Sequence, residues 1–315
     1  MKKDLLTILD LSAEEIRYLF NLTAGLKDGS IRRSLLNQTI AMVFEKPSLR
    51  TRMTFQVGIN QLGGHAIYLT QQDIQLGGRE SVADVARNLE RWVNAIVART
   101  FKHETIVELA RNASVPVINA LSDRAHPCQA LTDFFTVLEK KRDLAGLRIA
   151  YIGDGNNVCN SLVLLAATLD VELAVASPSG YRPDDNIIAA AKARHQNAGA
   201  RITFTNDPFE AVNGADVVYT DVWVSMGDEA EAEERMRQFA RYQVNAELMR
   251  AAKSDALVMH CLPARRGLEI TDEVMDGPQS IVFDQAENRL HVQKALLVSL
   301  LEFRNTGQLM MFPQT

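Results

Sequence analysis

Short apolar runs of four or five residues recur along this chain, separated by longer stretches in which apolar residues fall three and four apart. Runs of that length suit strands buried on both faces, and the spacing between them suits helices, so the alternation predicts βαβ units and parallel sheets. The runs occupy 40–44, 66–69, 95–98 and 116–119, then 148–152, 172–176, 201–205, 217–220 and 257–260. Helices are expected after Ser48, Ser81 and His103, and from Pro127 to Lys141, where Ala130, Leu131, Phe134, Phe135 and Leu138 keep helical spacing. A chain of 315 residues makes two domains at about 150 each. The predicted fold class is α/β with two domains, each a central parallel sheet flanked by helices. The 127–141 helix is the expected connector, giving domains 1–140 and 141–315, with a C-terminal helix over 289–305 packing back on the first. The acidic stretch 228–234 is expected in a loop.

Composition narrows the function classes. The longest apolar runs, 162–167 and 295–301, fall far short of the ~18 residues that mark a membrane span. Met1-Lys2-Lys3 leads into Asp4 and a polar-interrupted helix pattern, not an apolar signal segment, so the cytoplasm is expected and a membrane role is not. Cys128, Cys159 and Cys261 are odd in number and widely spaced, which argues against a disulfide framework and a structural zinc site. A net charge of −5 argues against general nucleic-acid binding, so any anion recognition must be local.

One such local cluster is Ser48-Leu49-Arg50-Thr51-Arg52, where the 40–44 run hands over to a helix. Helix N-terminal N–H groups and the macrodipole attract an anion, and an arginine adds a forked, charge-assisted pair of hydrogen bonds. The alternative is a capped helix with solvated arginines, although basic first turns oppose the dipole. Arg99 ends the 95–98 run, at the edge where open α/β sheets bind ligands. His126-Pro127-Cys128-Gln129 sets an imidazole before a proline-led helix, facing a held phosphate or serving a structural role. Gly153-Asp154-Gly155-Asn156-Asn157 follows a strand but lacks the third glycine of a dinucleotide fingerprint, since Val158 stands there. Asp221 and Ser225 lie on the loop after 217–220, able to receive an ammonium group or to form a solvated acidic turn. His260-Cys261-Leu262-Pro263 closes the last run, with Cys261 open to two readings, an activated thiol or a small buried hydrophobe.

Together, Ser48-x-Arg50-Thr51-Arg52, His126-Pro127-x-Gln129, Asp221-x-x-x-Ser225-Met226-Gly227 and His260-Cys261-Leu262-Pro263 resemble, in order and spacing, the motifs of the aspartate/ornithine transcarbamoylase family over essentially the whole length. The first two motifs are shared across that family, whereas the last two are similar to those of its ornithine-using members. The resemblance implies transfer of the carbamoyl group of carbamoyl phosphate to the δ-amine of L-ornithine, or to a related acceptor such as N-acetylornithine or putrescine. It implies that Ser48, Leu49, Arg50, Thr51 and Gln75 bind the phosphate, the Gln75 loop often serving a neighbouring subunit. Arg99, His126, Pro127, Cys128, Gln129, Cys261, Leu262 and Arg289 would complete the carbamoyl phosphate contacts, with Arg99, His126 and Cys261 as the catalytic set. Asn157, Asp221, Ser225 and Met226 would hold ornithine. The family pattern further implies no metal and no organic cofactor, and a homotrimer or a multiple of trimers. Two departures stand out: Leu49 replaces a usual threonine, and the histidine often found near Arg265 is missing.

Overall fold

The computed structural model describes residues 1–194, 202–224 and 229–307. The chain forms two compact units, Met1–Thr132 with Asn288–Thr315, and Asp133–Glu287. In chain order the first unit holds α1 (Ala13–Asp28), β1 (Thr39–Phe44), α2 (Leu49–Gln61), β2 (His65–Thr70), α3 (Gln71–Ile74) and α4 (Val82–Trp92). It continues with β3 (Ala95–Arg99), α5 (His103–Asn112), β4 (Val117–Leu121) and the start of α6 (Pro127–Lys141). The second holds β5 (Arg148–Ile152), α7 (Asn157–Leu169), β6 (Glu172–Ala176), α8 (Asp185–Arg194), β7 (Ile202–Thr205), α9 (Pro208–Val212) and β8 (Val217–Thr220). After these come α10 (Ala232–Phe239), α11 (Ala246–Met249), β9 (Leu257–His260), α12 (Asp272–Met275) and α13 (Val282–Thr306). The division between units falls inside α6, ahead of the expected 140/141 step. No helix among the described residues is long and apolar enough to cross a membrane.

Each unit is built on an all-parallel sheet, ordered β2-β1-β3-β4 in the first and β7-β6-β5-β8-β9 in the second. Central strands β1, β3, β5 and β8 are buried almost throughout, as parallel strands covered on both faces must be, while edge strands β2 and β7 are half-exposed. In the first unit the chain winds from β1 outward to β2 and then reverses to β3. In the second it winds from β5 through β6 to β7 and reverses to β8. Each reversal leaves a crevice at the carboxyl ends of two neighbouring strands, the place where open α/β sheets take ligands.

Local sequence explains the elements that border those crevices. Ser48 caps α2, its Oγ accepting from the Thr51 N–H at 3.2 Å, and Phe55 and Ile59, four apart, bury the inner face. Fully burying two such side chains stabilises by about 1.5–3 kcal/mol each. Asn156 caps α7, its Oδ1 accepting from Val158 at 3.0 Å and Cys159 at 3.1 Å. From Val158 to Ala167 that helix is apolar nearly all round and wholly buried. Gly155 permits the turn before it to approach the 181–183 segment, where a Cβ would lie 2.2 Å from the Pro183 nitrogen.

Two expectations need correction. The terminal helix begins at Val282, ahead of the predicted Arg289. Its first turns carry buried polar residues, Gln285, Asn288 and Arg289, which mask the apolar period. The described part of the acidic stretch is not loop: Ala232–Phe239 is helical, with Glu233 and Glu234 in the first turn, where the macrodipole favours carboxylates. The C-terminal part of α13 packs within the first unit, as expected. There Gly58 of α2 lets the helix approach, Lys294 meets Gln61 at 3.2 Å and Arg33 meets Glu302 at 3.0 Å.

Candidate active site

In the first unit the β1/β3 reversal gathers a cationic cradle. Phe44 and Arg99 are register partners, so the Ser48–Thr51 turn after β1 and Arg99 at the end of β3 border the same crevice. N–H groups in the first turn of α2 have no helix carbonyl to donate to and suit an anion. Arg50 is half-buried in that turn, whereas the Leu49 side chain is 75% exposed, so Leu49 can offer only its backbone. Arg52, counted with the motif in sequence, instead lies over the Tyr68 ring at 3.9 Å.

Behind the turn, Arg289 spans the unit's most distant stretches of chain. Its Nη2 donates to Thr51 Oγ1 at 2.9 Å and its Nη1 to Gln129 Oε1 at 3.0 Å, and all three residues are buried. One planar guanidinium thus fixes both a hydroxyl and an amide, a geometry lysine cannot copy. Beside it, His126 is buried, and that burial, reinforced by the charges of Arg289 and Arg99, holds its pKa well below 6.5. That direction favours the neutral imidazole at physiological pH. Pro127 opens α6. Cys128 is core, its thiol directed to the Asn119 carbonyl at 3.4 Å and its pKa pushed up to about 12 by burial. Gln75 is exposed and caps α3 in a left-handed conformation with φ 43°. Lys46 was passed over in the sequence, yet it follows β1, is buried, and lies 4.7 Å over the Phe101 ring.

In the second unit the β5/β8 reversal carries the opposite charge. Asp221, directly after β8, is 5% exposed and already accepts three hydrogen bonds. Oδ1 takes the Cys261 thiol at 2.9 Å and the Val222 N–H at 2.8 Å, and Oδ2 takes Asn156 Nδ2 at 2.9 Å. An ionised carboxylate has about four lone-pair sites, so one remains for an ammonium group. Asn157, singled out from the sequence, is half-buried at the first position of α7, while its neighbour Asn156 makes the contact to Asp221. Nothing in the sequence separates two adjacent asparagines; only the cap geometry does. Cys261 is half-buried and donates to a carboxylate. Leu262 is half-buried next to it. Ser225 and Met226 lie outside the described residues.

Asp221, His260 and Cys261 also bring potential ligand atoms within 4.8 Å of one another. The imidazole does not fit a metal, because its Nδ1 accepts from the Leu262 N–H at 2.9 Å and its Nε2 faces Glu269 at 3.1 Å. Two donors are left, short of a closed tetrahedral set.

Comparison with known proteins agrees with this division of chemistry. Residues 3–139 match the carbamoyl-P binding domain model, and residues 145–300 the Asp/Orn binding domain model, of aspartate/ornithine carbamoyltransferases. The chain is 54% identical over 303 residues to an ornithine carbamoyltransferase of Anoxybacillus flavithermus, covering 95% of this chain and 96% of the relative. It is 53% identical over 305 residues to one of Methanosarcina acetivorans, covering 96% and 100%. Its fold is similar to that of the ornithine carbamoyltransferase from Pyrococcus furiosus, with a TM-score of 0.90 at 50% identity over 93% of this chain and 95% of that one. With both halves matched in order and half of all positions identical to these relatives, the chain belongs to the aspartate/ornithine carbamoyltransferase family.

Proposed function

We propose that this chain transfers the carbamoyl group of carbamoyl phosphate to the δ-amine of L-ornithine, giving L-citrulline and phosphate in arginine metabolism. The observation that carries the reading is the Arg289 bracket, a buried guanidinium holding Thr51 and Gln129 beside a neutral His126. The α2 N-terminus and Arg50 take the phosphate, with Ser48, the Leu49 backbone and Gln75 as further contacts. Arg99, His126 and Thr51 donate to the carbamoyl oxygen, with Pro127, Cys128 and Gln129 shaping that end of the cradle. Asp221 receives the ammonium of ornithine, with Asn157, Ser225 and Met226 along the rest of the molecule and Cys261 and Leu262 at the reacting end.

The neutral δ-amine attacks the carbamoyl carbon, forming a C–N bond and placing negative charge on the carbonyl oxygen. Arg99, His126 and Thr51 stabilise that charge, and each preorganised donor of this kind contributes about 2.7–4 kcal/mol. Collapse breaks the C–O bond to phosphate, and the departing phosphate accepts the proton shed by nitrogen. No step calls for a metal or organic cofactor. An alkyl ammonium has a pKa near ~10.4, so kcat/KM for ornithine rises from pH 6 towards pH 9, roughly tenfold per unit while the amine remains mostly protonated.

We further propose a homotrimer, or a multiple of one, in the cytoplasm. Exposed Leu49, Met53 and Ile67 on α2 and β2 supply apolar surface for a second copy. Leu49 also favours a second reading, a related acceptor such as N-acetylornithine or putrescine, because the family's usual threonine is lost there. Product formation from carbamoyl phosphate with ornithine, N-acetylornithine, putrescine and aspartate tests both. Ornithine is expected to lead by at least about tenfold in kcat/KM, a difference near 1.4 kcal/mol. A lead for another acceptor, or no product with ornithine, overturns the proposal.

A further inference from the structure

Arg235 of α10 lies outside the residues assigned to either half of the site, yet it joins several segments of the second unit's crevice. It is buried at 9% exposure. Its Nη1 donates to Asp154 Oδ2 at 2.8 Å and to the Trp223 carbonyl at 3.1 Å, its Nε pairs with Glu231 at 3.1 Å, and the guanidinium lies 5.0 Å from the Tyr181 ring centre. Asp154 belongs to the loop after β5 and Trp223 to the loop after β8, so a single guanidinium fastens together the two loops that border the reversal. Asn156, two residues beyond Asp154, and Asp221, two residues before Trp223, join the same loops through their 2.9 Å hydrogen bond.

The two links form a closed ring. Asp154 is itself buried at 8% exposure, and its backbone carbonyl accepts from the Tyr151 hydroxyl at 2.9 Å. Trp223 is held by stacking on Phe239, the last residue of α10, with ring centres 6.0 Å apart. Removing the guanidinium takes away the Asp154 and Trp223 ends of this ring and leaves the buried Asp154 carboxylate without the charge at 2.8 Å that pairs with it.

We propose that Arg235 is a positioning residue for the amine acceptor. Through Asp154 and Trp223 it fixes the spacing of Asn156 and Asp221, and so the orientation in which Asp221 presents its remaining lone pair. The proposal rests on the reading that Asp221 receives ornithine. Displacing a binding group by about 1 Å can cost on the order of a hundredfold, so the effect is expected in use of the acceptor and not in carbamoyl phosphate recognition.

The test is steady-state kinetics in both substrates on the full chain, with thermal melts alongside, for Arg235→Gln, Asp154→Asn, the double variant and Asp221→Asn. Arg235→Gln is expected to raise KM for ornithine by about tenfold or more while KM for carbamoyl phosphate stays within about threefold. Adding Asp154→Asn removes a buried negative charge and is expected to restore part of the melting temperature without restoring ornithine KM, because the Arg235 link between the loops is still missing. An unchanged ornithine KM in a folded Arg235→Gln overturns the proposal, as does recovery of ornithine KM in the double variant. If Arg235→Gln unfolds, the double variant carries the test, and a normal ornithine KM there overturns it. Asp221→Asn separates the two layers: if it leaves ornithine KM unchanged the acceptor assignment itself fails, whereas if it raises ornithine KM and Arg235→Gln does not, only the positioning role fails.

Discussion

The crevices of the two units are built by the same topological device and filled with opposite chemistry. At the β1/β3 reversal stand a helix N-terminus, Arg50, Arg99 and Arg289, the last tied to Thr51, and burial with the charges of Arg289 and Arg99 keeps the pKa of His126 low. At the β5/β8 reversal a carboxylate, Asp221, sits among donors from Cys261, Val222 and Asn156. On the proposed reading the first holds an anion and donates hydrogen bonds to a carbonyl, and the second holds a cation. One fold pattern thus serves two chemically opposite ligands, the difference residing in a handful of residues at strand ends. This is why the parallel sheets alone say little about the substrates.

The largest effect that would break this comparison is expected at Arg50. Removing one partner of a desolvated charge pair costs about 2–5 kcal/mol, so Arg50→Ala should lower kcat/KM for carbamoyl phosphate by roughly thirty-fold to several-thousand-fold. A change within about threefold would mean the cradle is a capped helix with a solvated arginine and nothing more. Next comes Gly155→Ala in the other unit, where the new methyl would meet Pro183 and Arg182 backbone atoms at 2.2–2.3 Å. Overpacking of that kind costs about 1–3 kcal/mol. Urea unfolding should show the loss, with ornithine KM rising before carbamoyl phosphate KM does.

A smaller effect follows from His126. Its folded-state pKa lies well below 6.5 because of burial and the two neighbouring guanidiniums. Below pH 6.5 the unfolded chain takes up a proton there that the folded chain refuses, so stability falls as pH drops beneath that value, by up to about 1.36 kcal/mol per unit. Comparing unfolding of the parent chain and His126→Asn at about pH 7.5 and 5.5 isolates this contribution. The parent should lose more on acidification, and equal losses would contradict a neutral buried imidazole. The smallest expected effect is Leu49→Thr. Because that side chain is 75% exposed, restoring the family's usual hydroxyl should change carbamoyl phosphate KM by less than about threefold. A larger gain would move the phosphate closer to position 49 than the backbone contact implies.

What could be read from sequence divides along physical lines. Strands such as β3 and β5 were legible because parallel strands buried on both faces leave uninterrupted apolar runs. The Ser48–Thr51 turn was legible because its parts are contiguous. The start of α13 was hidden because Gln285 and Asn288 are buried through hydrogen bonds, to Asp133 at 2.7 Å and Lys27 at 2.8 Å, instead of through apolar contact. The ties from Arg289 to Thr51 and from Arg235 to Asp154 join residues far apart in sequence, and no local pattern marks either arginine. Asn156 and Asn157 are chemically identical until the helix cap chooses between them.

If separate residue sets recognise the anion and the amine, KM for both substrates in Arg50→Ala and Asp221→Asn, measured side by side, reveals it. The expected result is a crossed pattern: Arg50→Ala raises carbamoyl phosphate KM by about thirty-fold or more and spares ornithine, while Asp221→Asn raises ornithine KM by about tenfold or more and spares carbamoyl phosphate. A folded pair of variants in which both substrates suffer equally, or in which the pattern is reversed, would contradict it.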